Sequence, residues 1–393
     1  MKKRTAFLKR LLALLCSFIL LPLFSLAEAP AQTPVPSALD QEVARAFRQR
    51  STTGGMVVAA KDGKIVYKYC YGYANQGKKV LVTDDSYFRL ASVSKLVTAT
   101  AVMRLVETGR LDLDQNIGQV IGGDNPYNAF NPSFKNVGIT PRMLMTHTST
   151  IWDTQFAQKR PLREALKLKS SYYQEKKAPG TVYHYSNYGA GILGIVLEAV
   201  TGVHLSEAAS TLIFDRMDID AAYSPDLLEH PENVTSSFSR DYSTDIDLEH
   251  DYYLSYGGCW MKGEDLCRLG IMLCDFGMYE GARILEEDTV REMISSQEGK
   301  GGITIDSPYG LNVERLKNLV PDRIIYGHQG YSNIGSSKER AVLCVLLFDP
   351  QSRFVVAMVT NACSPTEKNY GIRSPGYSLF RILWQEYVGP WQH

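Results

Sequence analysis

Apolar positions first recur with helical spacing after Ser37, where Leu39, Val43, Ala46 and Phe47 fall on one face. The pattern then changes to strands. Met56–Ala60 and Lys64–Tyr71 are joined across Lys61-Asp62-Gly63, residues suited to a hairpin turn. From Ser92 the spacing predicts a helix through Glu107, stopped at Gly109. Residues 111–300 alternate helical segments with loops rich in Asn, Pro, Gly and Tyr, and Gly189–Val200 and Gly263–Phe276 are the clearest helices. Strand character returns in Ala341–Phe348 and Arg353–Thr360, flanking Asp349-Pro350-Gln351-Ser352, and a helix over about Tyr377–Tyr387 follows. Strand-bearing ends around a helix-rich middle predict an α/β layer made from 37–110 and 301–393, with 111–300 inserted as a helix-rich domain.

The first 27 residues differ from the rest. Lys2, Lys3, Arg4, Lys9 and Arg10 precede the apolar run Leu11–Leu26, and Ser25-Leu26-Ala27 offers small residues for cleavage. This is the layout of a secretory signal peptide, 1–27, followed by a Pro-rich linker, 28–36. Pro22 interrupts the run, which is shorter than the ~20 residues of a spanning helix. An uncleaved membrane anchor is the alternative, and it is the only membrane contact expected. The whole chain balances 42 Lys+Arg against 42 Asp+Glu, but the five basic residues of 1–10 leave with the signal. The mature chain is therefore mildly acidic, with no basic patch that would suit nucleic acid. Export permits disulfides among Cys70, Cys259, Cys267, Cys274, Cys344 and Cys363. Cys267 and Cys274 would sit two helical turns apart, about 10 Å, too far to bridge. Free buried thiols are the expectation for most of the six.

Three short motifs carry candidate chemistry. Ser92-Val93-Ser94-Lys95 fits S-x-x-K, a pattern that chance alone supplies about once or twice in a chain this long. At a helix start, however, residues three apart share a face, so the Lys95 ammonium can approach the Ser92 hydroxyl. A serine is a weak nucleophile until a base takes its proton, and a desolvated lysine can be that base. An N-cap serine beside a solvated lysine is the bland alternative. Tyr185-Ser186-Asn187 fits Y-x-N, as do Tyr73-Ala74-Asn75 and Tyr331-Ser332-Asn333. Tyr73 precedes Ser92 and Tyr331 overlaps a further motif, whereas Tyr185 follows Ser92, comes just after Pro179-Gly180-Thr181 and leads into a helix. His328-Gln329-Gly330 is the single H-x-G, which on its own reads as a loop histidine before a turn glycine.

Taken together these motifs resemble the serine β-lactamase and penicillin-binding protein superfamily, in its class C-like branch with DD-carboxypeptidases, D-aminopeptidases and esterases. The likeness runs from about Gly54 to Tyr387. It includes Gly109-Arg110-Leu111-Asp112, Leu144-Met145-Thr146-His147-Thr148-Ser149, Gly257-Gly258, Tyr309-Gly310-Leu311 and Gly327-His328-Gln329-Gly330. The resemblance implies a β-lactamase/transpeptidase-like fold, a mainly antiparallel sheet with flanking helices and a helix-rich inserted domain. It implies Ser92 as acylated nucleophile, Lys95 as proton acceptor, and Tyr185 as partner base and donor to the leaving group. Asn187, His328, Gly330 and Tyr331 would bind substrate, with the backbone N–H groups of Ser92 and Tyr331 as oxyanion hole. No cofactor is implied. The expected substrates are small molecules or peptides, cell-wall fragments containing D-amino acids or related esters and amides. A β-lactamase, or a non-turnover sensor binding β-lactam or peptidoglycan, is the alternative. Two positions depart from the pattern. Gln329 replaces the usual Thr, whose hydroxyl helps hold a substrate carboxylate, and Thr150 replaces Gly after H-T-S, predicting a different path for that loop.

Asp245, Asp247, Glu249 and Asp251 alternate in a way that suits a solvated or substrate-rim loop better than a calcium loop. His147, His184, His204, His230 and His250 form no H-E-x-x-H, and no C-x-x-C occurs, so no metal is expected. His147 reads as a structural hydrogen-bonding residue.

Overall fold

The computed structural model describes residues 36–121, 130–153, 173–236, 254–333 and 340–391. Helix α1 (Ala38–Arg48) buries Val43, Ala46 and Phe47, as their spacing predicts. Strands β1 (Gly54–Lys61) and β2 (Lys64–Asn75) form the first hairpin. Asp62 and Gly63, at φ +52° and +77°, supply the left-handed pair that a tight turn needs. The two-residue β3 (Val80–Leu81) lies on the outer edge of β2, and β4 (Tyr87–Arg89) leads into a 3-10 turn over Ala91–Val93. Helix α2 (Ser94–Glu107) follows and stops where Gly109 turns left-handed at φ +68°.

The middle of the chain holds α3 (Ile117–Ile121), α4 (Pro141–Met145), α5 (Asn187–Thr201) and α6 (Leu205–Ala209). Next come β5 (Ala221–Ala222), α7 (Leu254–Gly257), β6 (Trp260–Lys262) and α8 (Gly263–Cys274). After the small hairpin β7 (Met278–Tyr279) and β8 (Ala282–Arg283) and helix α9 (Glu287–Ile294), strands return as β9 (Glu314–Leu316), β10 (Ile325–Asn333), β11 (Ala341–Asp349) and β12 (Phe354–Thr360). Helix α10 (Gly376–Tyr387) ends the described elements.

The large sheet has the order β3-β2-β1-β12-β11-β10-β9 and is antiparallel throughout. Its centre is the pairing of β1 with β12, Val57 opposite Met358, so the two ends of the chain meet in one sheet. Both faces are covered. Met56, Val58 and Val355 join the core beneath the helical side, while Val57, Val356 and Met358 pack with Phe47 of α1 and Phe380 and Trp384 of α10. Double burial is why these strands read as continuous apolar runs rather than alternating ones.

Several expectations change on the structure. Helix α8 ends at Cys274, not Phe276, which takes φ +49°. It lies against the large sheet, although its sequence falls in the helix-rich stretch. A Cβ on Gly270 would come within 2.5 Å of Val355 Cγ1 and 2.7 Å of Leu346 Cδ1, so the helix needs glycine to approach. Ser92 precedes the regular helix and sits in the 3-10 turn. His328 lies in β10, so the loop reading of H-x-G is not what the chain adopts. A separate sheet, β4-β6-β5, had no clear signal in the sequence. The cysteines from Cys70 onward are free thiols, all buried except the half-buried Cys70. The acidic stretch Asp245–Asp251 lies outside the described residues.

Candidate active site

The turn carrying Ser92 is clamped from three sides. Strand β4 pairs with β6, and beyond it Leu90 N–H donates to Cys259 O (2.8 Å) while Cys259 N–H donates to Ser94 Oγ (3.0 Å). Cys344 Sγ of β11 donates to Arg89 O (3.1 Å). Between them Ala91 is held at φ +45°, a left-handed conformation that an alanine adopts only when its surroundings impose it. On the third side runs β10. A Cβ on Gly330 would stand 2.2 Å from Leu90 O and 3.0 Å from Ser92 N, so only glycine lets the strand pass this close.

Lys95 is fully buried one helical turn on. Its Nζ donates to Ser92 Oγ (3.0 Å), Asn187 Oδ1 (2.8 Å) and Tyr256 O (3.0 Å), which uses all three ammonium hydrogens. The rings of Tyr185 and Tyr256 each lie 5.0 Å from Nζ. Burial pushes the Lys95 ammonium down to about 7, against the opposing charge of Asp153. The Tyr185 hydroxyl is hydrogen-bonded to Ser92, and burial raises its pKa above the usual phenol range. At neutral pH a lysine poised to lose its proton and a phenol that keeps its own therefore meet at one serine.

Two imidazoles stand behind Tyr185. His147 lies 4.4 Å from the Tyr185 ring, centroid to centroid, and accepts the Ser186 N–H at Nδ1 (3.2 Å). That bond leaves its hydrogen on Nε2. His328 Nδ1 lies 2.8 Å from Gln329 O, a carbonyl that can only accept, so His328 carries its hydrogen on Nδ1 and presents a bare Nε2. Burial pushes His328 down to about 3 and His147 well below its ordinary value, so both are neutral. A cleft of about 290 Å³ opens over the serine, lined by Arg89, Ser92, Asn187, Tyr256, Tyr331 and Ser332 among others.

The Beta-lactamase family profile matches residues 39–373. The chain belongs to the Beta-lactamase family. Among curated members it is similar to Penicillin-binding protein 4* of Bacillus subtilis, 27% identical over 223 residues that span 51% of this chain and 46% of that protein. It is also similar to Esterase EstB of Burkholderia gladioli, 29% identical over 209 residues, 48% of this chain and 50% of the esterase. The matched stretch thus spans about half the length of these curated relatives. Solved structures align over more of the chain. A class C beta-lactamase superposes with a TM-score of 0.66 at 18% identity, covering 90% of this chain and 97% of its own. The Beta-Lactamase/D-Alanine Carboxypeptidase from Pseudomonas syringae gives 0.66 at 18%, covering 90% and 100%. At this identity the superpositions establish the β-lactamase fold.

Within that family frame the structure brings Ser92, Lys95, Tyr185 and Asn187 into direct contact. It sets Tyr331 on the cleft, Gly330 against the Ala91–Val93 turn, and His328 at 6.5 Å from the Tyr185 ring. Gln329 is engaged within the protein. Its Nε2 donates to Gly371 O (2.6 Å), and the side chain also meets the buried Glu314. Thr150 adopts a left-handed φ of +64°. Asn131 Nδ2 donates to its hydroxyl (2.9 Å) and Gln174 N–H to its carbonyl (2.9 Å), and these contacts hold a conformation that a β-branched residue disfavours. Sequence reasoning missed Asp153 and Tyr256. Neither belongs to a motif, and their only signals were proximity to H-T-S and to Gly257-Gly258.

Proposed function

We propose that this protein is a serine hydrolase that forms an acyl-enzyme on Ser92, acting on D-amino-acid-containing peptides, amides or esters. The observation that carries this reading is the buried Lys95 Nζ at 3.0 Å from Ser92 Oγ, with its ammonium weakened to about 7. In the proposed reaction neutral Lys95 takes the Ser92 proton as Oγ attacks the carbonyl carbon. The oxyanion is received by the backbone N–H groups of Ser92 and Tyr331, and losing one such donor typically costs about 10²–10³ in rate. The protonated Tyr185 phenol gives its hydrogen to the departing amine or alcohol and regains one from the Lys95 ammonium, which returns both groups to their starting states before water cleaves the acyl ester. Asn187, His328, Gly330 and Tyr331 flank the substrate.

A neutral His328 and a Gln329 amide engaged by Gly371 O support amide or ester substrates without a carboxylate at this point over β-lactams. We further propose export through residues 1–27, which would place the enzyme with cell-envelope substrates. Intact mass spectrometry after exposure to a fluorophosphonate and to a penicillin tests the whole reading, with Ser92→Ala as control. A Ser92 adduct with the fluorophosphonate is expected, and absence of an adduct with either probe would sink the proposal. A lasting penicillin adduct favours a peptidase, a fluorophosphonate-only adduct an esterase, and rapid penicillin turnover a β-lactamase.

A further inference from the structure

The geometry points to Asp153 as a positioning residue for the catalytic pair, holding Asn187 so that Asn187 in turn holds Lys95 on Ser92. This inference rests on the hydrolase reading above. Asp153 lies just after the H-T-S loop and meets the start of α5 with both oxygens. Its Oδ1 accepts from Tyr188 N–H (2.8 Å) and from Ser186 Oγ (3.2 Å). Its Oδ2 accepts from Asn187 N–H (3.2 Å) and from Asn187 Nδ2 (2.8 Å). A carboxylate on the N–H groups at a helix start is favoured by the helix dipole and satisfies donors that have no partner within the helix.

The last of these bonds has a chemical consequence. A primary amide rotated by half a turn about its final bond exchanges a donor for an acceptor. With Nδ2 engaged by a carboxylate, which can only accept, Asn187 must turn Oδ1 the other way, and there it receives Lys95 Nζ at 2.8 Å. Asp153 thereby selects the amide orientation that points Lys95 at Ser92. It leaves one Nδ2 hydrogen for a ligand in the cleft.

Asp153 is also the charge that the lysine feels. Lys95 faces His147 from the loop after α4, His328 from β10, Tyr185 from the loop before α5 and Tyr256 from α7. Burial keeps both imidazoles and the Tyr185 phenol uncharged, and it raises the carboxyl of Glu314 beyond Tyr185. The Coulomb attraction of Asp153 is what opposes the desolvation of Lys95.

The test is the rate of Ser92 labelling by a fluorophosphonate, followed from pH 5 to pH 10 in the wild type, Asp153→Asn and Asp153→Glu. Asparagine keeps the shape of Asp153 but can present Nδ2 to Asn187 Nδ2, donor against donor, and it removes the charge. In Asp153→Asn the rate on the alkaline plateau is expected to fall by about 10²-fold, the scale of a misplaced catalytic group. Its midpoint is expected to move to lower pH by up to about one unit, because an attraction that favoured the ammonium is gone. Asp153→Glu restores the charge and is expected to bring the midpoint back. A purely structural role would lower the labelled fraction and leave the midpoint in place, since that midpoint does not depend on how much of the sample is folded. A wild type that labels alongside an Asp153→Asn variant with unchanged midpoint and plateau would overturn the role of Asp153 alone. A wild type that takes no label at any pH would overturn the hydrolase reading and this role with it.

Discussion

At the residue scale the site depends on removing water from one lysine. An ammonium with an ordinary value of 10.5 is no base at neutral pH, and burial brings Lys95 to about 7. The rate of acylation is therefore expected to rise with pH through an apparent pKa near 7, measured as kcat/KM or as fluorophosphonate labelling. The same shift bears on stability. Above about pH 7 the unfolded lysine binds a proton that the folded one has released, so this contribution to stability grows as pH rises towards 10.5. Replacing Lys95 by Met removes it. The stability difference between wild type and Lys95→Met should shift in favour of the wild type by on the order of 2 kcal/mol between pH 7 and pH 9, read from denaturant titrations. A pH-independent difference would mean that Lys95 keeps its ordinary pKa in the fold. Labelling of Lys95→Met is expected to fall by about 10³-fold or more, since both the base and the contact to Ser92 are lost.

At the element scale the position of Ser92 is set by how closely β10 passes the Ala91–Val93 turn. Gly330 is the point of contact, and a methyl group there would meet backbone at 2.2 Å, which a side-chain rotation cannot relieve. Gly330→Ala should therefore push strand and turn apart, with Ser92 labelling down about 10²-fold. The melting temperature should fall as well, as backbone clashes of this kind typically cost more than about 1 kcal/mol. Labelling at the wild-type rate would show that the strand can shift without moving the serine. The β1-β2 and β11-β12 hairpins, α1 and α2 were readable because each signal, alternation, turn residues or helical spacing, lies within a few neighbouring residues. Strand β10 and the β4-β6-β5 sheet were not. The polar run Tyr326–Asn333 becomes a strand because β11 pairs along it, Gly330 opposite Cys344, and the sequence of β10 carries no trace of that partner.

At the scale of the whole molecule, the described residues are held by a sheet buried on both faces, with no disulfide among them. Cys259, Cys267, Cys274, Cys344 and Cys363 are buried free thiols, and burial raises each of them. Thiols in this state react slowly. A thiol reagent should therefore find these five only after denaturation, and a reducing agent should leave the melting temperature unchanged. A loss of melting temperature on reduction would reveal a disulfide. The amino-acid sequence by itself determined the β1-β2 and β11-β12 hairpins with α1, α2 and α10, the S-x-x-K spacing that puts Lys95 beside Ser92, and the family to which those motifs point. All of these are properties of residues close together in the chain. Tertiary structure decided the chemistry. Lys95 meets Asn187 across 92 residues and the Tyr256 carbonyl across 161, and Asp153 reaches Asn187 across 34. Desolvation and charge act through space, so the protonation state of Lys95 and the orientation of Asn187 exist only once those distant segments have packed around them.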